Sequence, residues 1–153
     1  MYPTLLFLHS IFRWLVLLSL IYALVRAIQG YRSGRVFTKT DDSVRHWTAT
    51  IAHVQLLIGI ILYTQSPLVS YYFGTSRKEA LAEPFFFSII HIALMLLAVV
   101  GITLGSSMAK RKPTANGKFL TQIVWFSLAL LLIFVAIPWP FSPLATRPYF
   151  RPY

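Results

Sequence analysis

Few side chains in this 153-residue chain could do chemistry, and the most suggestive are histidines set in apolar stretches. His9 and Arg13 stand four residues apart, which places them on one face if the segment is helical. His53 and Gln55 fall in a second apolar stretch, and His91 in a third, with Ser88 and Met95 on the same face. Polar and ionisable groups are costly inside a bilayer, so each is a candidate functional residue. Neutral imidazole is an axial ligand for haem iron and a ligand for copper or zinc. With three histidines and no acid among them, haem iron is the leading choice, with His9, His53 and His91 as ligand candidates; a histidine site for copper or zinc comes second. Arg13 requires an anion or several acceptors. A haem propionate, a lipid phosphate or a quinone carbonyl would each serve. Plain structural roles stand beside these: interhelical hydrogen bonds for the histidines, Gln55 and Gln122, outward snorkelling for Arg13, and packing for Met95.

The absences narrow the chemistry further. The chain contains no cysteine, which excludes a thiolate nucleophile, an Fe–S cluster and a cysteine zinc site. Its four acids, Asp41, Asp42, Glu79 and Glu83, are read as lying in connections between the apolar stretches. No carboxylate is then placed for a proton relay, a catalytic triad or a cage for a hard cation. His46 reads as an interfacial residue.

The elements that position these residues follow from composition. Hydrophobic residues make up 57% and charged residues 12%, against about 25% charged in an average soluble domain. Mean hydropathy is +0.67. Four continuous apolar runs cover residues 4–29, 47–66, 84–106 and 119–137, and about 20 residues suffice for a helix to span a bilayer. The expected fold is all-α: an integral-membrane, up-down four-helix bundle forming a single domain over 1–153, with an extended tail over 138–153. The first run lacks a basic leader and is interrupted by Arg13, so it reads as a span rather than a cleaved signal.

Charge sets the expected orientation. Arg26, Arg32, Arg35, Lys39 and Arg45 surround the first connection, and Lys110, Arg111, Lys112 and Lys118 the third. The other side carries Arg77, Lys78, Arg147 and Arg151. The positive-inside rule places the nine-residue side in the cytoplasm and both termini outside. The net charge of +10 is therefore assigned to membrane topology and anionic lipid contact, not to nucleic acid. At 1.5 Å rise per residue, His9 lies roughly 8 Å, His91 roughly 10 Å and His53 roughly 18 Å from the outer face. His9 and His91 match best in depth.

Several motifs recur together: His9-Ser10 with Arg13-Trp14, His53-Val54-Gln55-Leu56-Leu57-Ile58-Gly59, Ser66-Pro67-Leu68, His91, and Ile137-Pro138-Trp139-Pro140-Phe141. This pattern resembles small bacterial four-helix membrane proteins labelled cytochrome b or cytochrome-b-like, over nearly the whole chain to Phe141. The resemblance implies haem b held by members of the set His9, His53 and His91, and residence in the bacterial inner membrane. It departs at Ile90 and Ile92, where the family often has an acid and a proline, so no carboxylate adjoins His91 to orient it.

Two functions remain open at this level. One is a small b-type cytochrome-like subunit in quinol-linked electron transfer, with haem and quinone as its cofactors. The other is a non-catalytic accessory subunit of a larger respiratory membrane complex, without its own haem. Either role is that of an electron-transfer or accessory subunit rather than a stand-alone enzyme. The tail over 142–153, rich in Pro, Arg and aromatics, is expected to dock on another membrane subunit.

Overall fold

The computed structural model describes residues 2–75, 82–142 and 145–147. Arg77, Lys78, Glu79, Arg151 and much of the expected docking tail lie outside the described residues. Five helices form the described chain: α1 (Tyr2–Ser33), α2 (Lys39–Gln65), α3 (Pro67–Gly74), α4 (Ala82–Arg111) and α5 (Ala115–Ala136). Among the described residues there is no strand. α1, α2, α4 and α5 are long and apolar enough to cross a membrane. The protein is an all-α, multi-pass membrane bundle.

The helix ends follow local chemistry. Gly34, at φ 63°, releases the chain after α1, a backbone state glycine adopts without penalty. Thr38 and Asp41 cap α2 reciprocally, each side chain bonding the other's backbone N–H, as in a capping box. Ser66 caps α3, with Pro67 at its first position. Thr114 Oγ1 accepts from the Gly117 N–H at the start of α5. These caps lengthen the helices beyond the apolar runs. α2 starts at Lys39 rather than at Trp47, so Asp41 and Asp42 lie in its first turn. Glu83 lies at the start of α4. The expectation that the acids lie in connections is corrected for these three.

α1 packs on α2 and α5, α4 packs on α5 and α2, and the four close a ring. Small and large residues share the interior: Ala23, Ala27, Ala52, Ala98, Ala109, Ala129 and Ala136 are buried beside Leu20, Phe86, Ile102, Phe119 and Phe126. Large apolar residues face outward, with Leu18, Leu57, Leu97 and Leu131 about 60% exposed. The apolar outer face fits helices set in lipid, which gain by close approach rather than by escaping water. Gly105 shows how close: a Cβ there would sit 2.3 Å from Trp125 Cβ. The Gly101-x-x-x-Gly105 spacing therefore serves the α4–α5 contact within the chain.

Candidate functional site

The α1 N-terminus, the middle of α2, α3, the first half of α4 and the end of α5 enclose a cavity with about 210 Å³ open to the centres of water molecules. Its lining is mostly apolar, with His9, Arg13, Gln55, Tyr63, His91 and Arg147 supplying the polar edge. No acidic residue lines it among the described residues.

Helical spacing explains which residues arrive there. On α1 the lining falls at Leu6, His9, Ser10, Arg13 and Val16, and on α2 at Ala52, Gln55, Leu56, Gly59 and Tyr63. Both sets follow the three-and-four spacing of one helix face. His53 breaks the α2 set. It stands two positions before Gln55, about 200° around a helix of 3.6 residues per turn, and so lies exposed on the outer surface. There its Nε2 is 2.9 Å from Thr103 Oγ1, whose own hydrogen goes to the Val99 carbonyl at 2.7 Å. The hydroxyl oxygen must then accept, and His53 Nε2 donates. His46 is also exposed, packed edge-on against Trp47 with ring centroids 5.9 Å apart.

His9 and His91 meet across the cavity, with ring centroids 6.4 Å apart and planes inclined at 68°. Gly59 makes room for the first: a Cβ at that position would come within 3.2 Å of His9 Cε1. Gln55 Nε2 donates to the His9 backbone carbonyl at 3.0 Å and ties α2 to α1 at this level. His9 Nδ1 and Gln55 Oε1 are buried here with no hydrogen-bond partner, as are Ser88 Oγ and Gln122 Nε2 elsewhere in the bundle. Such atoms are rare in packed interiors and call for an explanation.

His91 is held differently. Its Nδ1 lies 2.8 Å from the Ala136 carbonyl oxygen, one of the last carbonyls of α5, which have no partner within their own helix. A carbonyl only accepts, so Nδ1 carries the hydrogen and Nε2 keeps its lone pair. Thus a backbone oxygen from another helix does what a neighbouring carboxylate would do. Just before His91, α4 passes through a π-helical turn over Phe86–Ile90, and the His91 N–H donates to the Phe86 carbonyl five residues back. The extra residue in that turn shifts the helix faces on its two sides by about 100°. Tyr63 of α2 donates to the Ser88 carbonyl within the turn at 3.0 Å.

The mouth of the cavity is edged by the segment after α5. The Arg147 N–H returns to the Pro138 carbonyl at 3.1 Å, and Ala145 is buried. The Arg147 guanidinium stands 4.9 Å from the Phe87 ring centroid and pairs with Glu83. Phe87 in turn lies 6.0 Å from the His91 ring. The sequence offered no signal for this contact, because it joins two residues 64 positions apart across the bundle end.

The class of protein defined so far is a multi-pass helical bundle with a paired-imidazole cavity near one end. Comparison with family models, curated proteins and solved structures finds no match to this chain.

Proposed function

We propose that this chain is a small haem b-binding electron-transfer protein of a bacterial inner membrane, in which His9 and His91 would hold the haem iron. The observation that carries the reading is the paired arrangement of these rings. Their 6.4 Å centroid separation would leave room for one metal ion between the rings, each imidazole nitrogen bonding it at about 2 Å. The hydrogen bond from His91 Nδ1 to Ala136 leaves Nε2 as the ligating atom, the usual arrangement for a metal-bound histidine. His9 Nδ1, buried and without a hydrogen-bond partner, is accounted for if Nδ1 is itself the atom that meets the bound group.

The charge of the lining argues for haem over a bare metal ion. Arg13 and Arg147 both border the cavity and no carboxylate does, among the described residues. An isolated cation held by the imidazoles would have no carboxylate to offset the two guanidiniums, whereas haem brings two carboxylates with its iron. Bound between the rings, haem iron would supply one-electron transfer between its ferric and ferrous states. The chain's own part is to present two neutral imidazoles, fix one tautomer and surround the site with apolar side chains. Quinol is the proposed electron source, because the cavity lies among membrane-spanning helices where a lipid-soluble reductant is available. By the distribution of basic residues, the histidine end faces outward.

A reduced-minus-oxidised spectrum with a pyridine haemochrome assay tests the reading on protein purified gently from native membranes. One haem b per chain is expected, lost in His9→Ala and His91→Ala and retained in His53→Ala. Haem-free wild-type protein would overturn the proposal and leave the accessory-subunit reading.

A further inference from the structure

We propose that Arg147 and Arg13 form a receiving site for the acidic groups of the cavity's ligand, and that Glu83 is the resident anion which Arg147 gives up when that ligand enters. The ligand class is an apolar molecule bearing carboxylates, and its identification as haem rests on the function proposed above.

The argument starts from charge. The lining holds two guanidiniums, two imidazoles and no acid among the described residues. Arg13 follows His9 by one helical turn, and side chains on a helix lean toward its N-terminus. Arg13 is thereby directed toward the same end of the bundle as the mouth, with its guanidinium 5.5 Å from the Trp14 ring. Arg147 reaches the mouth from the other direction. Its backbone is fixed by the Pro138 carbonyl, and its guanidinium rests on Phe87, the ring beside His91.

Glu83 occupies Arg147 but stands outside the cavity lining and is itself partly exposed. An ion pair with an exposed partner is weak, typically within about 1 kcal/mol. A ligand carboxylate reaching Arg147 from the less hydrated cavity side competes well, since charge-assisted, bidentate hydrogen bonds are the stronger kind. Exchange of one carboxylate for another also needs no new charge on the protein. Arg147 thus contributes a ligand contact from beyond the end of α5.

The test uses the full chain in lipid nanodiscs, prepared free of haem and titrated with ferric protohaem or with its dimethyl ester, which has the same ring and iron but no acids. Soret absorbance gives both affinities. Wild type is expected to prefer the diacid by roughly tenfold or more. Arg147→Gln and Arg13→Gln should each lose most of that preference while binding the ester as wild type does, which shows that the variants are folded with the imidazole pair in place. Arg147→Lys should keep part of the preference. Glu83→Gln should tighten diacid binding and leave the ester unchanged. Equal affinity of wild type for diacid and ester would overturn this inference while sparing the haem site. Binding of neither would overturn both.

Discussion

The polar clusters at the two ends of the bundle are satisfied to different degrees. At the end carrying the α1–α2 connection, Asp41 is 4% exposed and fully engaged. It accepts from Arg35 at 2.6 Å and 2.9 Å, from Arg26 at 2.9 Å, and from the Thr38 N–H and hydroxyl. The same contact raises the Arg35 guanidinium above its ordinary pKa. Arg45, 5% exposed, pairs with Asp42 and donates to both oxygens of Ser106 across the bundle. At the histidine end, His9 Nδ1 and Gln55 Oε1 are buried with no hydrogen-bond partner. A saturated network is what a structural clamp needs, because a half-satisfied one costs more than an apolar contact. An unsaturated pair that persists in a cavity is what a binding site needs. The contrast separates polar residues that hold the bundle from those whose hydrogen-bonding capacity is unmet, which the proposed function assigns to a ligand.

Breaking the saturated end should have the largest effect. Asp41→Ala leaves Arg26 and Arg35 without their shared anion, removes the Thr38 capping partner and vacates a buried site. Hydrogen bonds to a charged group contribute about 1.5–3 kcal/mol and a lost cap about 0.5–2 kcal/mol, while Arg26 and Arg35 keep partial access to water. Thermal unfolding in detergent micelles should show a marked drop in midpoint for Asp41→Ala. Asp41→Asn, which keeps the shape and some acceptor capacity, should fall between. A midpoint unchanged by Asp41→Ala would erase the distinction between the two ends.

Next in size is the helix seam that connects the ends. Gly105→Ala would place a methyl group 2.3 Å from Trp125 Cβ. The opposing atom belongs to the start of a side chain and has little freedom, so α4 and α5 must separate. Overpacking of this kind costs about 1–3 kcal/mol. Gly101→Ala meets Trp125 only at 3.8 Å and should leave the melting midpoint nearly unchanged. The two variants on one motif therefore have different expected outcomes in the same unfolding assay.

Much of this organisation was legible before any coordinates, and the exceptions have physical causes. Continuous apolar runs marked the four spans, because lipid exposure demands apolar residues on every outward face. The runs did not mark the helix ends, since a capped helix continues into water. Thr38-x-x-Asp41 was readable as a cap, and it would have moved Asp41, Asp42 and Arg45 into α2. Ser66-Pro67 was likewise a readable start for α3. Depth alone set His9 beside His91, and spacing from Gln55 and Gly59 would have turned His53 away. The Ala136 carbonyl was out of reach, because every helix end offers such oxygens and only packing selects one. The π-helical turn before His91 left no signature in Phe86-Phe87-Ser88-Ile89-Ile90.

The smallest expected effect lies at the unsaturated end and is the sharpest statement of the contrast. Gln55→Leu removes a buried carbonyl oxygen that has no hydrogen-bond partner, together with one hydrogen bond to the His9 backbone. The lost bond contributes about 0.5–1.5 kcal/mol, and relief of the unsatisfied oxygen returns about 1–3 kcal/mol. These terms oppose each other, so the ligand-free protein should melt within a few degrees of wild type, on either side. If the cavity is a binding site, the same substitution should register in ligand affinity instead, because Gln55 fixes the α1 backbone at the level of His9. A polar residue whose removal spares stability and weakens binding is held there for the ligand. Were Gln55→Leu to destabilise the protein as strongly as Asp41→Ala, the amide would be part of a clamp like the one at the other end.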